Sequence, residues 1–357
     1  GTSNAFDAYA LAANSVQSSA GRPATTRDDD ELLDRFGSLL NQVSSGTNRA
    51  CDFEFRSRPA DQLGEFQEGW VVISRMYGAA IEAQVEEREF DAAIQTAGYA
   101  LKFAVDMMGG DAASYSIGDE LVHRIIKTVL PHLDGLDRSQ SEDLRLAFMA
   151  AHDRLPDESD AIQNESRNIK ATAQWLLELD NAGDYEPFQA VFGKDERITG
   201  PLAKRDQTER EEFFEGFIRE TDALTDHLAA ASQLPVSTQI DYEPEKEGRT
   251  WSRLSAKVSP TVRYIARRDP VIRSRLRLAI IYCHVRSSMI LAGRVPNDLS
   301  GLEEKYKVDP YNGFELMYRP SGLEFLTYSV STDFKDDAGL SDSIGMEPDL
   351  LLDPDLT

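Results

Sequence analysis

Residues 270–293, "PVIRSRLRLAIIYCHVRSSMILAG", place an apolar or small residue at every third or fourth position. That spacing puts these residues on one face of an α-helix, because an α-helix turns once in about 3.6 residues. Pro270 suits the first turn of such a helix, and Gly293 suits the position just after its last turn. The stretch therefore predicts a long helix whose apolar stripe is covered by other parts of the chain. The stripe consists of Ile272, Leu276, Ala279, Ile280, Cys283, Ser287 and Ile290.

The same helical spacing recurs through most of the preceding sequence. Each such helix must bury its apolar face against a neighbour, and the connections between them are short. The pattern predicts a mainly α fold, an antiparallel helical bundle or array, and leaves an α-solenoid open because no repeat signature is present. The predicted helical windows are 88–109, 115–131, 141–155, 158–180 and 207–231, preceded by a short amphipathic opener with Phe6, Tyr9, Ala10 and Ala13 and by residues 28–43, which start with acids suited to a helix N-terminus.

The charge balance limits the partners of this chain. The 62 acidic residues outnumber the 38 basic ones, which gives a formal net charge of −24. Such a charge repels phosphate backbones and anionic lipid headgroups, so we expect no nucleic-acid partner. No run of about eighteen apolar residues is present, so we expect no direct membrane insertion. The opening "GTSNAF" looks like a chain already cut, which leaves a removed N-terminal signal or anchor open.

The two cysteines, Cys51 and Cys283, match no metal-binding spacing and no disulfide scaffold. Two unrelated buried thiols are the preferred interpretation, and one disulfide in an oxidising compartment is the alternative.

Residues 309–339, "DPYNGFELMYRPSGLEFLTYSVSTDFKDDAG", depart from the helical pattern. Phe314, Leu316 and Tyr318 alternate with polar or longer side chains, which is typical of a half-buried strand. Pro320 at a turn position and Gly322 lead into a second strand, residues 323–330. A two-stranded hairpin alone is only marginally stable in water, so we expect its apolar side to pack on the helix of residues 270–293.

Three consecutive motifs, "GRVPNDLSGLEEKY" (293–306), "DPYNGFELMYR" (309–319) and "LTYSVSTDFKDDAG" (326–339), give this C-terminal region a family resemblance. After a long helix they resemble the C-terminal part of the major pseudopilins of type II secretion and the tails of uncharacterised helical bacterial envelope proteins. The resemblance covers about residues 270–340. It implies a pseudopilin-like helix and hairpin in a bacterial protein that is extracytoplasmic, in the periplasm or cell envelope. Pseudopilins are much shorter and begin with a hydrophobic membrane helix, so we do not expect a pilus subunit.

The resemblance also implies a calcium loop carried by Asp333, Asp336 and Asp337, with Asp342 as a further ligand. Clustered carboxylates suit this oxygen-preferring cation. Ser331 and Phe334 stand where the family has glycines, which leaves a solvated acidic tail as the alternative.

Shifts in composition and prolines divide the sequence into five predicted segments. They are a short helix and linker (1–30), a helical body (31–232), a linker (233–260), the pseudopilin-like helix plus hairpin (261–340) and an acidic tail (341–357).

Catalytic motifs are absent from the sequence, so we predict no catalytic residue and no bound organic cofactor. Glu120 and His123 have the E-x-x-H spacing of di-iron bundles, but no second copy exists, and His123 is interpreted as a surface or packing residue. His132, His152 and His227 stand near predicted helix ends, where an imidazolium offsets the helix dipole.

We expect the arginines of the one basic stretch to pair with acidic residues of the helical body rather than with nucleic acid. They are Arg263, Arg267, Arg268, Arg273, Arg275 and Arg277.

These observations favour a non-enzymatic structural or protein-interaction protein with unknown protein partners. The alternative is a hydrolase or small-ligand-binding protein whose site lies between helices. An exposed apolar patch would favour the first hypothesis, and a buried cleft with converging charged residues of shifted pKa would favour the second.

Overall fold

The computed structural model describes residues 4–20, 28–53, 60–182, 206–239, 250–330 and 350–351. Within these ranges the chain is mainly α-helical with a small antiparallel sheet near the C-terminus, which confirms the predicted fold class at this level. The helices in the described ranges are α1 (Ala5–Ala20), α2 (Asp29–Phe36), α3 (Ser38–Gly46), α4 (Ala60–Glu86), α5 (Phe90–Met108), α6 (Ala112–Val129), α7 (Arg138–Arg154), α8 (Glu158–Ala182), α9 (Gln207–Ala231) and α10 (Thr250–Ala292).

Aspartate side chains begin several of these helices. Asp28 accepts hydrogen bonds from two backbone N–H groups at the start of α2, and Asp111 and Asp206 each accept one at the starts of α6 and α9. At α7, Asp137 and Gln140 form a reciprocal capping box. An acidic side chain at this position satisfies free N–H groups and offsets the positive end of the helix dipole, which fixes where each helix starts.

The helices share one continuous apolar core. Helices α4, α5 and α6 follow one another after short connections and pack together, and α7 packs against α5. Trp70, Tyr77, Phe103, Tyr115 and Phe148 are fully buried in this core. Among the described residues, none of the helices combines the length and the apolar character that crossing a bilayer requires.

Helix α10 lies at the centre and packs against α6, α7, α8 and α9. It begins at Thr250, so the predicted start near residue 270 is wrong and the predicted linker 233–260 overlaps the first turns of the helix. Pro260 and Pro270 both lie inside the helix. Proline has a φ compatible with a helix, and its cost is a lost hydrogen bond and local crowding. Around Pro270, the buried residues Val262, Ile265 and Ile272 hold the helix on both sides.

The apolar residues of the predicted windows, which include Leu146 in 141–155 and Ile290 in 270–293, are largely buried, but these two are exceptions. Leu146 on α7 is 48% exposed and Ile290 near the end of α10 is 40% exposed, so these two residues do not belong to the core.

The C-terminal sheet consists of β1 (Met317–Ser321), β2 (Glu324–Ser329) and the two-residue strand β3 (Leu350–Leu351), in the order β1-β2-β3. Pro320 lies within β1 opposite Phe325, so its predicted turn position is wrong. The turn is the dipeptide Gly322–Leu323, and Gly322 has a φ of +66°, which is the geometry that favours glycine in a type II′ hairpin turn. Phe314 precedes the strand and is 74% exposed, which corrects its predicted place on the buried side.

The hairpin lies against α10, as the sequence predicts. The Phe325 ring is 4.9 Å from the Tyr282 ring on α10, and the Tyr318 hydroxyl donates to the backbone oxygen of Pro296, just after the helix, at 2.7 Å. Tyr328 and Val330 are buried at the end of the hairpin. These contacts seat the small sheet on the helical body; we call residues 293–330 the C-terminal module.

Candidate functional site

Of the arginines in the basic stretch, Arg268 pairs with an acidic residue of the helical body, as the sequence predicts, while Arg273 and Arg277 find other partners. Arg268 contacts Asp119 of α6 at 2.6 Å, and Arg273 contacts Asp269 one turn earlier on its own helix at 2.5 Å. Arg277 donates to the backbone oxygen of Val308 and to His152 of α7. The basic stretch thus faces neighbouring helices and the C-terminal module at these three positions.

A cluster of titratable groups lies where α6, α8 and α10 meet. The Tyr115 hydroxyl is 3.4 Å from Asp269 Oδ1, and Arg273 Nη2 donates to the Pro156 backbone oxygen at 2.8 Å. Glu158 lies in the first turn of α8 and, like Asp269, is almost fully buried. We call Tyr115, Glu158, Asp269 and Arg273 the buried carboxyl cluster.

Burial raises the pKa of the Glu158 carboxyl to about 9, and the neighbouring Asp269 carboxylate adds to the effect. Burial also raises the pKa of Asp269, although Arg273 opposes it. The arginine stabilises the anionic form of the carboxylate that it contacts, so the proton resides on Glu158 near neutral pH. A neutral acid beside a carboxylate can act as a proton donor in catalysis. It can also be purely structural, because a neutral Glu158 adds no charge to the buried pair of Asp269 and Arg273.

A second polar group joins α7, α10 and the C-terminal module. Arg277 Nε is 3.0 Å from His152 Nε2, and His152 Nδ1 is 3.4 Å from Asp153. Tyr306 of the module donates its hydroxyl to Asp153 at 2.8 Å and packs its ring edge-on against His152. An arginine N–H can only donate, so His152 Nε2 accepts and the imidazole is neutral.

The buried position of His152 corrects the expectation that it carries a positive charge at a helix end. Its burial, followed by the neighbouring Arg277, lowers the pKa of His152 to about 4. The sequence shows that His152 is near the end of α7, but not that the C-terminal module covers it.

Asp309 links the start of the C-terminal module to its end through hydrogen bonds, a role that the sequence did not predict. Its carboxylate accepts from the Tyr311 N–H, the Ser329 hydroxyl and the Val330 N–H, all at about 3 Å. Only 1% of Asp309 is exposed, and burial raises its pKa. The signal in the sequence is the Asp-Pro pair before the "YNG" turn, but nothing local indicates that its partners lie some twenty residues later.

Asp119 lies on the side of α6 that faces α10, close to Arg268, Arg275 and Tyr264. Its Oδ2 atom accepts from Arg268 and lies 3.3 Å from the Tyr264 hydroxyl. Arg275 is close to Asp119, but its Nη1 atom is 3.8 Å from Asp119 Oδ1, too far for a hydrogen bond. His123 and Lys127 follow Asp119 along α6 and are exposed.

The predicted calcium ligands Asp333, Asp336, Asp337 and Asp342 lie outside the described residues. Within the described ranges, no three His, Cys, Asp or Glu side chains are arranged to hold a metal ion. Glu120 and His123 are both exposed on α6.

Cys51 and Cys283 are free thiols, and Cys283 is buried while Cys51 is half-buried. Both cysteines are therefore unpaired in the structure, as the preferred interpretation has it, but only Cys283 is buried, which corrects the expectation that both thiols are.

Large exposed apolar side chains are concentrated at the C-terminal module and the segments beside it. Phe314, Leu323 and Leu291 are 74%, 68% and 66% exposed. The segment that starts with Leu234, which is also exposed, hydrogen bonds to the module through the N–H groups of residues 236 and 237. Elsewhere in the described chain the exposed large apolar residues are Leu11, Val71 and Leu146.

Comparison with protein-family models, with curated proteins and with solved structures finds no match to this chain. The resemblance of the C-terminal region to pseudopilins therefore stays a prediction from the sequence.

Proposed function

We propose that this chain is a non-enzymatic structural or protein-interaction protein that binds a protein partner through its C-terminal module. The observation that carries the proposal is the set of exposed apolar side chains on and beside this module. Exposing a large apolar side chain to water is unfavourable, and several of them in one region are typical of a surface that is covered by a partner.

The module is also built to present such a surface rigidly. Tyr306 is tied to Asp153, Val308 to Arg277, and Asp309 to the end of the hairpin. Phe314 and Leu323 extend from this anchored frame, at the turn before β1 and at the hairpin turn. A preorganised apolar residue loses little conformational freedom on binding, which favours association.

A photo-reactive amino acid placed at Phe314 or Leu323, in the cells that produce the protein, tests this proposal. We expect one discrete cross-linked protein from both positions, identified by mass spectrometry. Leu11 and Leu146 are matched control positions, since they are 59% and 48% exposed on α1 and α7. Equal products from all four positions, or none at 314 and 323, would contradict the proposal.

The extracytoplasmic location is part of the proposal and is supported by the resemblance to pseudopilins and envelope proteins. Fractionation of the producing cells tests it: we expect the protein with the periplasm or envelope, and recovery in the cytoplasm would refute this part.

The calcium loop is likewise proposed on the sequence alone, because carboxylates at Asp333, Asp336, Asp337 and Asp342 offer the oxygen donors that calcium prefers. We expect millimolar calcium to raise the melting temperature by several degrees, and a chelator to reverse the rise. Replacing Asp336 and Asp337 with asparagine should abolish the rise, whereas the control substitution Asp34→Asn on α2 should leave it intact. An unchanged melting temperature in calcium would leave these residues as a solvated tail.

The buried carboxyl cluster favours the alternative function, a hydrolase or small-ligand-binding protein. It offers a protonated Glu158 beside Asp269, which Arg273 contacts at 2.5 Å, and such a neutral acid suits general acid catalysis. Because both carboxyls are almost fully buried, a substrate would have to separate α8 from α10. A panel of chromogenic ester, phosphate and glycoside substrates tests this alternative, and an activity that disappears in Glu158→Gln would favour it.

A further inference from the structure

Pro320 lies inside β1, where proline is uncommon because it cannot donate a backbone hydrogen bond to a neighbouring strand. β1 is an edge strand of the described sheet, whose order is β1-β2-β3. Pro320 and Ser321 are both exposed. What the proline does depends on whether its missing N–H would face β2 or the outer edge of the sheet.

The register of the hairpin places the missing N–H on the outer edge. The turn has two residues, and Ser321 and Glu324 are the pair that closes it. In such a hairpin the closing pair exchanges both backbone hydrogen bonds, and non-hydrogen-bonded and hydrogen-bonded pairs alternate from there. Pro320 and Phe325 therefore form a non-hydrogen-bonded pair, in which the backbone groups of each residue point away from the other strand.

A backbone hydrogen bond just before β1 supports this direction. The Leu316 N–H donates to the backbone oxygen of Lys307 at 2.6 Å, and Lys307 is not part of β2. Because N–H groups alternate between the two edges of a strand, residues 316, 318 and 320 share one edge. Among the described residues, no strand pairs with β1 there. The outer edge of β1 therefore presents the N–H of Tyr318, whereas the second N–H is missing at Pro320.

A second copy of this chain is the occupant that fits this edge, because two identical edges can pair about a two-fold axis. With the axis at Arg319, antiparallel β1 strands place Tyr318 of one copy opposite Pro320 of the other. Each such pair needs an N–H from both residues, so the proline removes half of the backbone hydrogen bonds. The same symmetry brings the exposed Leu323 of one copy toward the exposed Phe314 of the other, which would favour the contact.

We infer that Pro320 prevents two copies of this chain from joining their sheets edge to edge through β1. An exposed edge strand between exposed apolar side chains is otherwise a site of self-association, and proline on the edge is a means of avoiding it. The proline costs no hydrogen bond between β1 and β2, because its N–H would point outward. The inference does not rest on the proposed function, since it concerns only contacts between copies of this chain.

Sedimentation velocity of Pro320→Thr over a range of concentrations tests the inference. The substitution restores the N–H and suits a strand, so we expect the variant to dimerise at least about tenfold more tightly than the parent protein. Pro320→Ala restores the N–H without a β-branched side chain and should dimerise as well. Ser321→Thr is the matched control, because its N–H faces β2 and the outer edge gains no donor, so it should behave as the parent protein does.

The same series in sodium chloride separates the proline from repulsion between copies that each carry a net charge of −24. At about 1 M salt the Debye length falls to about 3 Å, so this repulsion is screened. Hydrogen exchange locates the contact: the Tyr318 amide should exchange more slowly as the concentration of Pro320→Thr rises.

Three results would overturn the inference. The first is a parent protein that already dimerises through β1, and the second is a Pro320→Thr variant that stays monomeric at both salt concentrations. The third is dimerisation that does not follow the restored N–H, with Ser321→Thr as active as Pro320→Thr or with Pro320→Ala inactive.

Discussion

Glu158 lies in the first turn of α8 with 8% of its surface exposed, beside Asp269 and Arg273. A carboxyl in this environment stays protonated because ionising it would place a second negative charge in a buried site. The unfolded chain binds no such proton above about pH 4.5, so folding takes up a proton between that pH and about 9. The contribution of Glu158 to stability therefore falls as the pH rises through this window.

Glu158→Gln keeps the shape of the side chain and removes its ionisation. We expect the variant to be more stable than the parent protein at about pH 8, by on the order of 1–3 kcal/mol, and nearly equal to it at about pH 5. Urea unfolding at the two pH values measures the difference. Glu178→Gln, at an exposed position on the same helix, is the control and should show no such pH dependence. A difference that is the same at both pH values would show that Glu158 does not titrate in this way.

Individual residues were harder to predict than their neighbourhoods. The sequence predicts that the arginines of α10 pair with the helical body, because a charge run on a partly buried helix needs opposite charges. It does not reveal Asp119 as a partner of Arg268, because this residue is more than a hundred positions away and looks like an ordinary helix-surface acid. Burial by distant segments, which no local pattern encodes, also decides the neutral state of His152.

Helices were predictable where apolar spacing and caps agree. The windows 88–109 and 207–231 correspond to α5 and α9 within a few residues. The start of α10 was not predicted, because Pro270 was interpreted as the first turn, whereas buried residues on both sides of it, such as Val262 and Ile272, continue the helix through it. In the hairpin, the two strands were found, but the turn lies at Gly322–Leu323 rather than at Pro320.

Close approach between α5 and α6 depends on Gly118. A Cβ added at this position would lie 2.2 Å from the backbone oxygen of Ala104 on α5, and a backbone atom cannot move aside as a side-chain end can. We expect Gly118→Ala to lower the free energy of unfolding by about 1–3 kcal/mol, in spite of the better helix propensity of alanine.

Gly98→Ala on α5 is the matched control, since its added Cβ would be 3.9 Å from the Ala147 side chain, an ordinary contact. It should leave stability unchanged or raise it by up to about 1 kcal/mol. Chemical unfolding of both variants compares them directly. If Gly118→Ala were as stable as Gly98→Ala, α5 and α6 would be farther apart than described.

At the scale of the whole molecule, the C-terminal module and the helical body meet at His152. The charged and titratable groups that face it are Arg273 and Arg277 on α10, Asp153 on α7, and Tyr306 and Lys305 of the module. Its folded-state pKa is lower than its value in an unfolded chain, so the folded protein binds fewer protons. Stability is fully present above about pH 6.5 and is lost as the pH falls toward about 4.

We expect the parent protein to lose about 2 kcal/mol of stability through His152 between about pH 7 and about pH 5. His152→Gln keeps an oxygen that can accept from Arg277 and cannot titrate, so its loss over the same interval should be smaller by about that amount. Urea unfolding gives the stabilities, and hydrogen exchange in residues 304–330 shows whether the module loosens first. An identical acid response in both proteins would exclude His152 as the cause.

Asp309 joins the beginning of the C-terminal module to residues 329 and 330. During synthesis on the ribosome, the two donors from Ser329 and Val330 are therefore among the last groups of the module to be made. Until Ser329 and Val330 have emerged, Asp309 lacks two of its three hydrogen-bond donors, and a premature stop codon before residue 329 removes both of them. Closure of the C-terminal module around Asp309 is thus a late event in the synthesis of each chain.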